Sequence, residues 1–134
     1  METSYTEDKL LGERVIVRQP KTGYRVAIDP IFLAASIQAL PGETVLDIGA
    51  GVGAASLCLA ARCPYIKIIG VELNRESVRY AAENIQLNHM RERVEILQGD
   101  LLKPPPRLAA GTFSHVMTNP PHLDSNSNNI SPYE

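Results

Sequence analysis

Short apolar runs rich in β-branched residues alternate with alanine- and leucine-rich stretches along most of this chain. The pattern predicts strands over residues 44–48, 66–71, 94–97 and 113–117. It also predicts a helix over 54–62 and a second helix, capped by Asn74, whose apolar face carries Val78, Ala81, Ala82 and Ile85. Strands that alternate with helices in this way form parallel sheets, and such sheets bind ligands at the carboxyl ends of their strands. We therefore expect an α/β fold with functional residues at those ends.

The segment before the first of these strands reads as an arm. Residues 14–18 alternate weakly between apolar and polar side chains, which predicts a strand in an N-terminal hairpin or arm. Asp29 and Pro30 suit the N-cap and first position of a helix, which Pro41-Gly42 is expected to end. We accordingly divide the chain into an N-terminal arm and helix (1–40), a main domain (41–122) and a polar low-complexity tail (123–134).

Charge gives little indication of a nucleic-acid partner. The formal net charge is −2, so the overall basic field typical of many nucleic-acid-binding proteins is missing. A local cluster of Arg14, Arg18, Lys21 and Arg25 has two interpretations, a solvated surface or a contact with a phosphate backbone.

The two cysteines, Cys58 and Cys63, are too few for a disulfide framework, and their spacing matches no zinc-ligand pattern. We expect them to be reduced thiols in the core. The sequence shows neither a charged-then-apolar leader nor an apolar run of the roughly 18 residues that a membrane span requires, which predicts a cytoplasmic protein without membrane contact.

A glycine-rich turn, with Gly49, Gly51 and Gly53, joins the strand over 44–48 to its helix. Glycines allow positive φ and close approach of a ligand, and the helix start offers free N–H groups. The turn also satisfies a dinucleotide-binding pattern, and a purely structural turn is a third interpretation. Asp47 favours a different ligand, because its carboxylate would repel a pyrophosphate but attract the sulfonium and ammonium groups of S-adenosylmethionine.

Acidic residues also end the next two strands. Glu72 lies where nucleoside-binding folds place an acid that accepts hydrogen bonds from ribose hydroxyls, although a helix-start carboxylate would look the same. Asp100 could accept from an adenine amine while Leu101 packs against the ring; a plain Gly-Asp turn is the alternative.

The fourth strand leads into Asn119, Pro120 and Pro121. Prolines stiffen this loop, and its carbonyl oxygens together with the Asn119 side-chain oxygen are acceptors for an N–H₂ group. Two acceptors that hold both hydrogens would favour a pyramidal adenine nitrogen as a methyl group arrives, without a strong base. A simple proline turn is the structural alternative.

Taken together, Asp47-x-Gly-x-Gly-x-Gly, Glu72, Asp100 and Asn119-Pro-Pro resemble the class I S-adenosylmethionine-dependent methyltransferases. The Asn-Pro-Pro sequence is typical of members that methylate amines conjugated to π systems. The upstream segments 11–20 and 23–30 resemble bacterial tRNA adenine-N6-methyltransferases. The resemblance covers residues 10–122 and implies a Rossmann-like three-layer sandwich. It implies the catalytic residues Asn119, Pro120, Pro121 and His122, and the cofactor-binding residues Asp47, Gly49, Gly51, Gly53, Glu72, Asp100, Leu101 and Asn119.

Two departures bear on that resemblance. His122 stands where the family usually has tyrosine or phenylalanine to stack on the target base. The family sheet has seven strands ordered 3-2-1-4-5-7-6, whereas the pattern here gives only the N-terminal half, strands one to four. Strand four would then be an apolar edge. We expect a shortened product or one piece of a split enzyme, with a second chain as the partner that completes the sheet.

Three functions follow from these observations. The first is methylation of the exocyclic amine of adenine in RNA, with tRNA as the expected substrate and S-adenosylmethionine as cofactor. The second is a catalytically inactive cofactor-binding fragment or subunit. The third is methylation of a protein glutamine, which the Asn-Pro-Pro loop would serve equally well and which the N-terminal segment disfavours.

Overall fold

Strands and helices alternate from residue 44 onward, after an N-terminal hairpin. The computed structural model describes residues 5–21, 34–100, 103, 106–109 and 113–118, and the statements below concern those residues. In chain order the elements are β1 (Tyr5–Leu10), β2 (Val15–Pro20), β3 (Thr44–Ile48), α1 (Ala54–Arg62), β4 (Lys67–Glu72), α2 (Arg75–Leu87), β5 (Val94–Gln98), α3 (Pro106–Ala109) and β6 (His115–Thr118).

The main sheet has four parallel strands in the order β5-β4-β3-β6. This confirms the parallel α/β sheet predicted from the sequence, and the order equals the 3-2-1-4 part of the order that the resemblance implies. Asp47 pairs with Gly70 on one side and with Met117 on the other. Among the described strands, β6 pairs only with β3 and therefore lies at an edge of the sheet.

One face of the sheet forms the core. Its side chains include Val45, Ile68, Val94 and Met117, each at most 2% exposed, and they share one cluster with both long helices. Helix α1 is buried from Ala54 to Ala60, which its many alanines permit because small side chains let a helix approach a sheet closely. The predicted core thiols are confirmed: Cys58 and Cys63 are buried and unbonded to each other.

Helix α2 begins as the sequence predicts. Its N-cap Asn74 accepts a hydrogen bond from the Ser77 N–H at 2.8 Å, which satisfies one free donor of the first turn. The predicted apolar face is wrong at Ala82, which is exposed. The buried residues are Tyr80, Ala81, Asn84 and Ile85. The polar Asn84 lies on the buried face of α2 because its side chain bonds to main-chain groups of other elements. A search for apolar periodicity does not detect such a residue.

The N-terminal hairpin packs on both long helices through β2. Val15 and Val17 are fully buried, and β2 pairs with β1 in an antiparallel ladder. The predicted strand over 14–18 is thus confirmed, with its end extended to Pro20, whereas β1 had no clear alternation and was missed. Arginines from outside α1 bond to its last carbonyls: Arg14 donates to Ala61 O at 2.6 Å and Arg93 to Ala60 O at 2.9 Å.

Other predictions need adjustment. Of the helix expected from Asp29 to Pro41, the described part shows helix at residues 34–36 and none over 37–40. Arg62 donates to the carbonyls of Ala34 and Ile37, which holds the chain after that helix against α1. The proline-rich connection before β6 contains α3, which was not predicted. The tail over 123–134 lies outside the described residues, and the division of the chain into three parts stays a prediction. No helix in the described ranges is long and apolar enough to cross a membrane.

Candidate functional site

The glycine-rich loop occupies the carboxyl end of β3, at the centre of the sheet. Gly49, Gly51 and Gly53 all have positive φ (73°, 58° and 91°), a conformation that side chains with a Cβ rarely adopt. A Cβ built on Gly51 would meet none of the described atoms within 4 Å, so this glycine borders a space that the described residues leave open. Gly53 is the N-cap of α1, and as a glycine it offers the first turn no side-chain cap. The loop therefore presents main-chain groups to a space that a ligand can enter.

Main-chain and side-chain contacts from β4 hold this loop in place. The N–H groups of Gly49 and Ala50 both donate to Val71 O, at 2.9 and 3.1 Å. The Gly51 N–H donates to Glu72 Oε1 at 2.8 Å. Because three glycines make the segment intrinsically flexible, such external bonds are what define its shape.

Gly70 of β4 packs against the same loop, and the sequence analysis missed this residue. A Cβ at this position would lie 2.8 Å from the Ala50 Cβ and 2.9 Å from Ile96 Cγ1, so only glycine fits. The detectable signal was an isolated glycine inside a β-branched strand, which indicates close approach of another segment.

Asp47 is fully buried beneath the loop. Its Oδ2 accepts a hydrogen bond from Ser56 Oγ at 2.6 Å, while its Oδ1 has no partner among the described residues. Burial raises the pKa of Asp47 to about 7; the Ser56 hydrogen bond opposes this shift and the nearby Glu72 charge adds to it. A buried acceptor without a partner is costly, so the site is suited to a ligand that brings a donor or a positive charge.

Glu72 ends β4 beside the loop. Its second oxygen, Oε2, accepts from the Asn74 N–H at 2.8 Å, so the carboxylate bridges the glycine loop and the start of α2. Each carboxylate oxygen has a further lone pair, which leaves capacity for a ligand hydroxyl.

Leu73 follows Glu72 directly, and its side chain is 68% exposed although it is large and apolar. The sequence analysis did not select Leu73, because a single leucine in a helix-start segment carries no distinctive pattern. Leu73 and the Glu72 carboxylate therefore place an apolar surface and a hydrogen-bond acceptor side by side at the carboxyl end of β4.

The remaining predicted residues fall into two groups. Asp100 is exposed and lies two positions after the end of β5, with an isolated bridge to Lys103. The neighbouring Gly99 N–H donates to Glu72 O at 3.0 Å, which joins this turn to the end of β4. Leu101, Asn119, Pro120, Pro121 and His122 lie outside the described residues.

The candidate cationic cluster is divided. Arg14 is bound to the end of α1, and Arg18 forms an ion pair with Glu7 (2.9 Å) and lies 4.9 Å from the Tyr5 ring centre. Lys21 is exposed, and Arg25 lies outside the described residues. Two of the four cations thus have partners within the protein. The described part also shows no group of side chains suited to a metal ion.

Comparison with known proteins agrees with this architecture. The chain is 34% identical to the tRNA1(Val) (adenine(37)-N6)-methyltransferase of Shewanella halifaxensis over 80% of its own length and 43% of that protein. It is 33% identical to the release factor glutamine methyltransferase of Aliivibrio fischeri over 66% of its length and 30% of that protein. The chain therefore spans less than half the length of these curated relatives.

A solved structure supports the fold. The SAM-dependent methyltransferase from Agrobacterium tumefaciens superposes with a TM-score of 0.69, covering 90% of this chain and 41% of that one at 21% identity. The model of the methyltransferase small domain family matches residues 25–131, a range that includes the glycine loop, Asp47 and Glu72. The chain belongs to the methyltransferase small domain family.

Proposed function

We propose that this chain binds S-adenosylmethionine and serves the transfer of its methyl group to the exocyclic amine of an adenine in RNA, with tRNA as the first candidate. The observation that carries the proposal is the buried Asp47 carboxylate, whose Oδ1 has no partner among the described residues and lies at the end of β3 next to the glycine-rich loop. Family membership and the relative that methylates adenine in tRNA support the same function.

The residues at the sheet edge fit this cofactor. Asp47 offers a negative acceptor, which suits the sulfonium and ammonium charges of the cofactor. Glu72 has spare acceptor capacity for ribose hydroxyls, and the exposed Leu73 provides an apolar surface for an adenine ring. Gly51 leaves the approach open. When bound, the cofactor supplies an activated methyl group, and this chain binds and orients it.

The proposed substrate site follows β6. Thr118, the last residue of that strand, pairs with Ile48 next to Asp47, and Asn119, Pro120 and Pro121 come next in the sequence. We propose that their oxygens hold the two hydrogens of the target amine and that His122 stacks on the base. These residues would orient the amine nitrogen toward the methyl group that the cofactor supplies, which lowers the barrier by positioning. The proton that the methylated amine loses would pass to water, so the loop needs no strong base.

The test begins with calorimetric titration of S-adenosylmethionine and its demethylated product into the wild-type chain, Asp47→Ala and Glu72→Ala. Micromolar binding by the wild type that is lost in both variants supports a formed cofactor site. Glu92→Gln is the control, since Glu92 is exposed in the loop before β5, at the opposite edge of the sheet. No binding by the folded wild type would overturn the cofactor assignment.

Methylation of a protein glutamine is the second candidate, because the release factor enzyme is nearly as similar and because the Asn-Pro-Pro loop can hold either amine. Parallel transfer assays on unmodified tRNA and on a release factor separate the two. We expect transfer to tRNA that weakens at high salt and is lost in Asn119→Ala. Transfer to the release factor alone would reverse the order of the candidates.

A second chain paired along β6 is a further proposal. Among the described strands β6 pairs only with β3, its residue Val116 is 54% exposed, and a strand edge of this kind favours association with another strand. Sedimentation of the purified chain tests it: a dimer that is dispersed by Val116→Lys supports pairing, and a monomer at all concentrations contradicts pairing between copies of this chain.

A further inference from the structure

Asn84 connects two parts of the molecule that are distant in the sequence. Its side chain is fully buried on α2. The Nδ2 group donates to Arg18 O and to Val52 O, both at 2.9 Å, and the Oδ1 accepts from the Arg18 N–H at 2.8 Å. One amide thus bonds to the N-terminal hairpin and to the glycine-rich loop, and it uses both of its amide hydrogens.

Asn88, one helical turn later, makes almost the same contacts. Its Oδ1 accepts from the Ile16 N–H at 2.9 Å and its Nδ2 donates to Ile16 O at 2.7 Å. Its second amide hydrogen goes back to Asn84 O of its own helix. Both asparagines therefore bond to β2 in the manner of a neighbouring strand, and they differ in one bond: only Asn84 reaches the loop.

We propose that Asn84 is a positioning residue for the cofactor loop and that it couples the state of the N-terminal hairpin to the affinity of that loop for its cofactor. The proposal rests on the proposed function for the identity of the cofactor.

The position of Val52 explains why this bond matters. Val52 lies between Gly51 and Gly53, which both have positive φ, and the other side of the loop is already held by Val71 and Glu72. The Asn84 bond to Val52 O holds the side of the loop that leads into α1. Because the same side chain also bonds to Arg18, a displacement of β2 must either break these bonds or move the loop.

Matched substitutions separate this role from general stabilisation. Asn84→Ala and Asn88→Ala each leave the N–H and C=O of one β2 residue without side-chain partners, so both should lose stability. Only Asn84→Ala also frees Val52 O. Asn84→Asp is a second variant that keeps the acceptor for the Arg18 N–H but lacks the donor to Val52 O and to Arg18 O.

Three measurements follow: urea unfolding, S-adenosylmethionine affinity at a temperature where every variant is folded, and hydrogen exchange of the Gly51 and Gly53 amides. We expect both alanine variants to lose stability, and Asn84→Ala to lose more, because Asn84 is fully buried and its loss also leaves Val52 O without its bond. Cofactor affinity should fall about tenfold or more in the two Asn84 variants and less than about twofold in Asn88→Ala, and loop protection should fall only with Asn84. Equal changes in affinity and loop protection for Asn84→Ala and Asn88→Ala would overturn the proposal.

Wild-type protein gives an independent test that needs no variant. Addition of cofactor should slow exchange of the Arg18 amide, which is bonded to Asn84, more than that of the Ile16 amide, which is bonded to Asn88. Equal effects on the two amides contradict the coupling. If the wild type does not bind S-adenosylmethionine, the proposed cofactor is wrong, and loop exchange in the variants still decides the positioning role.

Discussion

Two fully buried polar side chains, Asp47 and Asn84, lie in different regions of the molecule and are satisfied differently. At the junction of hairpin and helix, Asn84 closes three hydrogen bonds with protein groups. Below the glycine loop, Asp47 closes one with Ser56 and leaves Oδ1 without a described partner. The satisfied amide of Asn84 connects elements of the fold, whereas the Asp47 oxygen without a described partner is the atom that we propose for the cofactor.

The largest expected effect comes from Asp47→Asn, which removes the negative charge with little change in shape. We expect S-adenosylmethionine affinity to fall about 100-fold, or about 2.7 kcal/mol at 25 °C, because a neutral amide cannot pair with the ligand's positive charges. Calorimetric titration at pH 8 measures this. Glu92→Gln removes an equal charge from an exposed position and should bind as the wild type does. Unchanged affinity in Asp47→Asn would mean that the Asp47 carboxylate does not contact the cofactor.

Gly70→Ala should destabilise the fold by about 2 kcal/mol, because its Cβ would overlap Ala50 and Ile96. Gly51→Ala is the matched variant in open space; it should cost about 1 kcal/mol for its positive φ while obstructing the ligand. Urea unfolding of both variants measures how far each glycine stabilises the loop. Calorimetric titration of both measures how far each substitution obstructs the ligand. A Gly51 variant with wild-type affinity would place the ligand elsewhere.

The protonation state of Asp47 should give about a tenfold rise in cofactor affinity between pH 6 and pH 8, since the pKa of Asp47 is about 7 and only the carboxylate form pairs with a cation. Stability of the unliganded protein moves the other way. The folded pKa is raised above the ordinary 3.8, so this group's contribution is fully present below about pH 4 and is lost as the pH rises through about 7.

Calorimetric titration measures the affinity trend, and urea unfolding of the unliganded protein measures the stability trend, each at several pH values. Asp47→Asn is the reference that should lack both. Ser56→Ala sharpens the experiment, because the Ser56 hydrogen bond lowers the pKa of Asp47. Loss of this donor should shift the affinity profile to higher pH. A wild-type profile that matches Asp47→Asn would show that Asp47 does not titrate in this range.

The smallest effect is expected at the hairpin surface. Glu7→Gln breaks the partly exposed ion pair with Arg18 and should lower the urea midpoint of unfolding only slightly, because exposed pairs gain little in water. Urea unfolding at low and at high salt measures it, and the difference between wild type and variant should shrink at high salt. A larger loss would show that Arg18 depends on Glu7 to present its main chain to Asn84.

The sheet and its loop were predictable because their signals are local. β-Branched runs, glycines after β3 and acids at strand ends specify β3, β4 and β5 and place Asp47 and Glu72 at one edge. The strand order came from the family resemblance, since parallel pairing leaves no local trace.

The junction between hairpin and helix was not predictable in the same way. β1 lacks clear alternation. The predicted buried face of α2 was right at Ala81 and Ile85 and wrong at Ala82, and it missed Asn84 because asparagine usually faces solvent. The hydrogen-bond partners of Asn84, Arg18 and Val52, come close to it only in the folded protein, and no residue spacing in the sequence predicts them. Leu73 was missed for a related reason: its significance depends on where Glu72 lies in space.

The asparagine bonds also impose an order on biosynthesis. Ile16 and Asn88 are separated by 72 residues, and Arg18 and Asn84 by 66. At the roughly 5–20 residues per second of translation, the ribosome completes the hairpin several seconds before the helix that secures it. During that interval the main-chain groups of Ile16 and Arg18 can be satisfied only by water. The hairpin therefore waits for its native contacts with α2, and a pause in translation shortly before residue 84 would prolong its exposure.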